Sequence, residues 1–232
     1  MKRRALSGCL AAIAILVFSQ ASVPPSRGQE RKAGPVFAAD KGRFRITLNG
    51  ANVGTEQFEI SLQGNAWVVR SSTDLQAPGG EMKATGELRL SPDGSPLHYQ
   101  WSALAPKTAS GTVDFDAGTA KCSNNLGGTK PYLEDFHFGD PHIVVLDNNF
   151  YYQYAVLARL YDWAAAGEQT FHVLIPQDLT PGSVTVKLQD SSGQLSELVV
   201  KSPDLEIHLL CDSNHRLIRL EVPSSNAVID RE

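Results

Sequence analysis

From residue 42 onward, apolar and polar side chains alternate in short runs bounded by turn formers, the period of strands that bury one face. Phe44, Ile46 and Leu48 share one side of residues 43–49, and Phe58, Ile60 and Leu62 share one side of 53–62. Asn49-Gly50-Ala51-Asn52 between them predicts a hairpin loop. The same pattern predicts strands over 67–73, 81–90, 97–102, 111–115 and 119–124. Gly64-Asn65, Pro78-Gly79-Gly80, Pro92-Asp93-Gly94 and Ala117-Gly118 supply the turns. Strands are predicted again over 169–175, 183–189, 195–200, 204–211, 216–222 and 227–230, separated by Pro-, Gly-, Ser- and Asp-containing breaks.

Residues 148–166 break the alternation. Phe150, Tyr154, Leu157 and Tyr161 recur at helical spacing, while Val156, Leu160 and Trp163 widen the apolar face. Asp147 or Asn148 is placed to cap the start of this helix and Gly167 to end it. The expected fold is therefore all-β dominated: a large curved antiparallel sheet or incomplete β-barrel with one main α-helix packed against it. Residues 42–232 read as a single domain, since no repeat or composition shift marks a second.

The residues ahead of that domain change the setting. Lys2, Arg3 and Arg4 precede an apolar run over 10–18, and Ser19-Gln20-Ala21 offers small residues at a signal-peptidase site. Residues 1–21 thus read as a signal peptide and 22–41 as a flexible leader, placing the mature chain in the periplasm or outside the cell. Leu6-Ser7-Gly8-Cys9 has the letters of a lipobox but precedes the apolar run it should follow, so cleavage near Ala21 is the expectation. After processing no stable transmembrane span is expected, which leaves peripheral membrane association open. The formal net charge of −4, which removal of three leader cations makes more negative, argues against nucleic-acid partners.

Only Cys122 and Cys211 remain in the mature chain, and in an oxidising compartment a single disulfide between them is the expectation, with two buried thiols or one reactive thiol as alternatives. The segment Leu146-Asp147-Asn148-Asn149-Phe150-Tyr151-Tyr152 and the helix after it resemble the bacterial envelope group carrying DUF3108-type domains. The late Leu209-Leu210-Cys211-Asp212 and Arg216-Leu217-Ile218-Arg219-Leu220 hairpin, and the opening hairpin with Asn49-Gly50 and Gly54, are similar too. The resemblance implies a curved antiparallel envelope domain and supplies no active residues.

Candidate chemistry is sparse. His137, Asp140 and His142 carry ligands suited to zinc or another divalent ion, with Gly139 and Pro141 able to bend the backbone between them. Asp114 and Asp116 share a strand face, and His98, His172, His208 and His215 are dispersed. No nucleophile elbow, Ser-x-x-Lys pair, His-Glu-x-x-His helix or P-loop occurs, and no catalytic residue or cofactor is assigned. The leading expectation is a non-enzymatic envelope binding or assembly domain for a lipophilic ligand or an envelope protein. Its ligand-binding candidates are Phe150, Tyr151, Tyr154, Leu157, Tyr161 and Trp163. The alternatives are a metal-dependent hydrolase using His137, Asp140 and His142, or a purely structural envelope protein.

Overall fold

A computed structural model of the chain describes residues 36–77, 80–105, 107–192 and 194–232. The predicted signal peptide and most of the predicted leader lie outside the described residues. Those described form one sheet of fifteen strands and one α-helix. The first half contributes β1 (Asp40–Leu48), β2 (Ala51–Gln63), β3 (Ala66–Ala77), β4 (Gly80–Leu90), β5 (Pro96–Leu104), β6 (Thr108–Asp116), β7 (Thr119–Asn125) and β8 (Tyr132–His137). After β9 (Ile143–Val145) and α1 (Tyr152–Leu160), the second half contributes β10 (Gln169–Ile175), β11 (Thr180–Ser192), β12 (Leu195–Ser202), β13 (Leu205–Asp212), β14 (Leu217–Val222) and β15 (Ala227–Arg231).

Each half is a meander, and the two join where β1 pairs antiparallel with β15, through Ile46 opposite Ile229. The sheet order runs β8 to β1, then β15 to β9; β9–β10 is its one parallel pair. Curvature brings the halves round α1, so that β9 reaches β5 and the 3-10 turn Pro176–Asp178 reaches β6 and β7. The terminal strands β8 and β9 do not pair, and the barrel stays open. The Asn49-Gly50 hairpin forms as expected: both residues have positive φ, at 50° and 79°, as a two-residue turn matched to strand twist requires.

The helix is shorter than its pattern. Asn149 has φ 63°, a left-handed break that delays the start, and no side chain of the helix's own segment caps it. The carboxylate of Glu56 on β2 takes that role, accepting the backbone N–H of Tyr152 at 2.9 Å. At the far end Tyr161 turns extended, and Asp162 accepts the backbone N–H groups of Ala164 and Ala165, so Asp162 rather than Gly167 reshapes the chain after the helix. Asp147, expected as a cap, instead accepts from Asn148 N–H, Gln177 N–H and the Tyr99 hydroxyl.

The core is one apolar cluster drawn from both halves and the helix. Leu198, Leu209, Val186 and Leu217 line the second half fully buried, each worth about 1.5–3 kcal/mol in removal from water. A nearly buried ion cluster ties the junction together. Arg231 of β15 holds Asp40 of β1 with two bonds, at 2.6 and 3.1 Å, and Arg159 of α1 reaches the same carboxylate at 3.4 Å.

The expected disulfide is not formed. Cys122 lies on β7 and Cys211 on β13, and both are free and buried. Each thiol points into the core from a different half of the sheet, which keeps them apart. Burial pushes both thiols up to about 12, so neither is a nucleophile at neutral pH.

Candidate functional site

The helix residues first considered for ligand binding lie in the core. Phe150, Tyr151, Leu157 and Tyr161 are buried, and Tyr154 and Trp163 are partly so. Phe150 meets Tyr152 edge to face at 5.9 Å, and Tyr161 meets Trp163 in the same way at 5.3 Å. The space left beside Tyr151 and Tyr154 measures about 30 Å³, enough for one water and far too little for an acyl chain. This aromatic face plugs the sheet.

The plug is polar on the side facing the first half. Glu56 accepts from Ser71 at 2.9 Å, from Thr73 at 3.4 Å and from Tyr152 N–H. Burial nevertheless pushes its carboxyl up to about 8, with those hydrogen bonds opposing. Asp147 is pushed up to about 7 for the same reason, against bonds from Gln177 N–H and Tyr99. Its backbone N–H donates to Gln153.

His137, Asp140 and His142 are not gathered into a metal centre. His137 sits on β8 and meets Thr119 across the strand at 3.1 Å. Asp140 closes a turn: it accepts the backbone N–H of His142 at 2.8 Å and meets the His142 ring at 2.9 Å. Against the upward push of partial burial, those bonds hold its carboxyl below the ordinary value. Among the described residues no group of three His, Cys, Asp or Glu side chains is placed to hold a metal ion. The dispersed histidines are engaged locally. His98 meets Asp114 at 2.7 Å, His208 lies between Glu197 and Glu206, and His215 stacks on Trp163 at 4.2 Å. His172 lies near the ring of Phe138.

The concave feature of the first half lies on the other side of the sheet. Gly42, Phe58, Ser71, Gly86, Trp101, Gly111 and Asn124 stand opposite one another in turn, forming a line across β1 to β7. Strand alternation points their side-chain positions at the core. Three of them are glycine, and none has room for more. A Cβ on Gly86 would lie 3.1 Å from the Tyr152 hydroxyl, one on Gly42 would lie 2.9 Å from the Phe58 ring, and one on Gly111 would lie 2.2 Å from Asn124 Oδ1. Without a side chain at Gly86 the backbone lies close against the plug, while Gly42 and Gly111 leave room for Phe58, Trp101 and Asn124 on neighbouring strands; the outward face is indented along the same line.

The indentation is a trough in two stretches of about 650 and 580 Å³ that share Arg70 and Ser71. Its floor is the glycine line, and its walls are the residues one step before and after each member of that line. Across seven strands it spans about 29 Å. One wall runs Lys41, Glu59, Arg70, Glu87, Gln100, Thr112 and Ser123; the other runs Arg43, Gln57, Ser72, Thr85, Ser102, Ser110 and Asn125. No wall residue is apolar. The charges gather at the β1–β4 end, where Arg70 pairs with Glu87 at 2.8 Å, and the β5–β7 end carries only hydroxyls and amides. Among the described residues the side chains of Gln100, Ser110, Thr112 and Ser123 have no hydrogen-bond partner and stand open to a ligand. Pattern reading missed this surface because it depends on which residues stand opposite across strands; the available signal was glycine inside strand-like runs.

No family model matches the chain, and no curated protein matches it. Among solved structures, a DUF1089 family protein from Pseudomonas aeruginosa is similar over 85% of this chain and 95% of that one, at 11% identity and a TM-score of 0.47. So distant a likeness carries no functional argument.

Proposed function

We propose that this chain is a non-enzymatic binding or assembly domain of the cell envelope, and that it binds in the outward trough rather than beside the helix. The carrying observation is the trough itself: a groove about 29 Å long, every wall residue polar, with hydroxyl and amide groups left unpaired inside it. The signal-peptide pattern of residues 1–21 supports an envelope setting, and the filled core leaves no room for a lipid beside the helix. The walls contain no histidine or cysteine, and of their two carboxylates Glu87 is paired with Arg70 while Glu59 lies at the charged β1–β4 end. Such walls can hold and orient a ligand through many modest hydrogen bonds.

Photo-crosslinking in cells tests this. A photoreactive residue placed at Thr85 or Ser123 of the exported chain should yield adducts of added mass. The same residue at Lys187, on the outward face of β11, should yield none. Equal adduct formation at the three positions, or none at any, would reject the trough as the binding surface.

A further inference from the structure

We infer that the β5–β7 end of the trough takes an uncharged linear glycan, an inference that rests on the trough being the binding surface. The chemistry of the walls selects this class. Gln100, Ser102, Ser110, Thr112, Ser123 and Asn125 offer donors and acceptors on both sides of the floor and no charge among them. A ligand with hydroxyls along both edges can use both walls at once. A polyanion finds no free cation at this end, because Arg70 at its margin is committed to Glu87 and the chain as a whole is acidic. A lipid finds no apolar wall.

An extended peptide is matched less well. Peptides that bind sheets do so by adding to an edge, where backbone groups are free, with apolar pockets for alternate side chains. The trough runs across seven strands whose backbone groups already bond one another, so it offers a peptide neither a ladder nor pockets. Because the floor residues direct their side-chain positions to the core, the floor itself is backbone, against which a flat ring-built polymer can lie across the strands. Binding then depends on many weak bonds over length, so a short oligosaccharide binds weakly and affinity grows with the number of sugars.

The mature full chain, labelled with nitrogen-15, is titrated with cellohexaose, maltohexaose and chitohexaose up to about 10 mM, a limit that reaches the weakest specific binding. Hexagalacturonate and a twelve-residue Gly/Ser/Thr peptide are titrated in parallel. At least one uncharged hexasaccharide should shift the amides of Thr85, Gly86, Trp101, Ser102, Gly111 and Thr112. The shifts should persist in about 0.5 M salt, where exposed charge interactions are screened. Ser102→Trp, whose exposed side chain fills the trough, should weaken binding at least about tenfold, and Gln100→Ala or Thr112→Ala about threefold each. Lys187→Ala should leave it unchanged. Amides outside the trough must stay in place in every variant, which separates lost binding from lost fold.

Trough shifts with the peptide or hexagalacturonate alone would overturn the glycan inference while leaving the trough as the binding surface. Silence from all three uncharged hexasaccharides, or shifts confined to other faces, would overturn it too. In those cases the in-cell crosslinks from Thr85 and Ser123 decide separately whether the trough binds anything.

Discussion

The two halves of the sheet bury different chemistry against one helix. Inward positions of β10 to β15 are mostly apolar, Arg231 at the junction being the charged exception: Phe171, Val184, Val186, Leu198, Leu209 and Ile229 close on the plug as oil on oil. Among the described residues the buried polar sheet residues, Glu56, Ser71, Thr73 and Asn124, all belong to the first half, together with the glycines of the trough floor. The first half thus gives up apolar area and side-chain volume along one line. It gains a cap for the helix on the inside and a trough on the outside. At Ser71 and Asn124 the indentation and the buried polar seam are one row of the sheet seen from two faces.

The junction of the halves should be the most sensitive point. Asp40→Ala leaves Arg159 and Arg231 as buried cations without their carboxylate and is expected to cost about 3–5 kcal/mol in urea unfolding. A loss under about 1 kcal/mol would mean that the ion cluster adds little to the β1–β15 ladder and the shared core. Within the apolar half, Leu209→Ala should cost about 3 kcal/mol, while Ser71→Ala in the polar seam should cost about 1. Equal losses at the two sites would erase the contrast between the halves.

The polar seam also predicts a pH dependence the apolar half cannot produce. Folding raises the Glu56 carboxyl to about 8 and that of Asp147 to about 7, so above the unfolded values near pH 4 the folded chain binds more protons. Their stabilising contribution is therefore complete in acid and is lost as pH rises through 7 and 8. Stability should fall by about 2 kcal/mol per carboxyl between pH 5 and pH 8, after allowance for relaxation around the ionised groups. Glu56→Gln should flatten its share of that slope. An unchanged slope would show that the seam stays ionised, held by Ser71 and the helix N-terminus. The smallest expected effect is that of reductant: with Cys122 and Cys211 in separate halves and free, the unfolding midpoint should not move in dithiothreitol.

What could be read from the sequence followed local periodicity. Alternation at Phe44, Ile46, Leu205, Ile207 and Leu209, and turn chemistry at Asn49-Gly50, were enough for the curved sheet with one helix. The pattern overran where packing and backbone disagree, since Tyr161 and Trp163 keep helical spacing but sit on extended and turn backbone ordered by Asp162. β8 stayed hidden because Tyr132–His137 is exposed on both faces and shows no alternation, and β9 because three residues hold too little pattern. The trough was invisible for a further reason. Gly42, Gly86 and Gly111 are far apart in the chain, and only strand register lines them up.

The pairing of β1 with β15 has a consequence for how the molecule comes to exist. Ile46 finds Ile229 only after nearly the whole chain has been synthesised, so the first strand waits for the last. Closing that one pair costs the loop entropy of nearly the whole chain, while almost every other pair joins strands adjacent in sequence, so the junction is expected to form last. Until Ala227–Arg231 has arrived the two meanders can each form, but nothing can join them into one sheet.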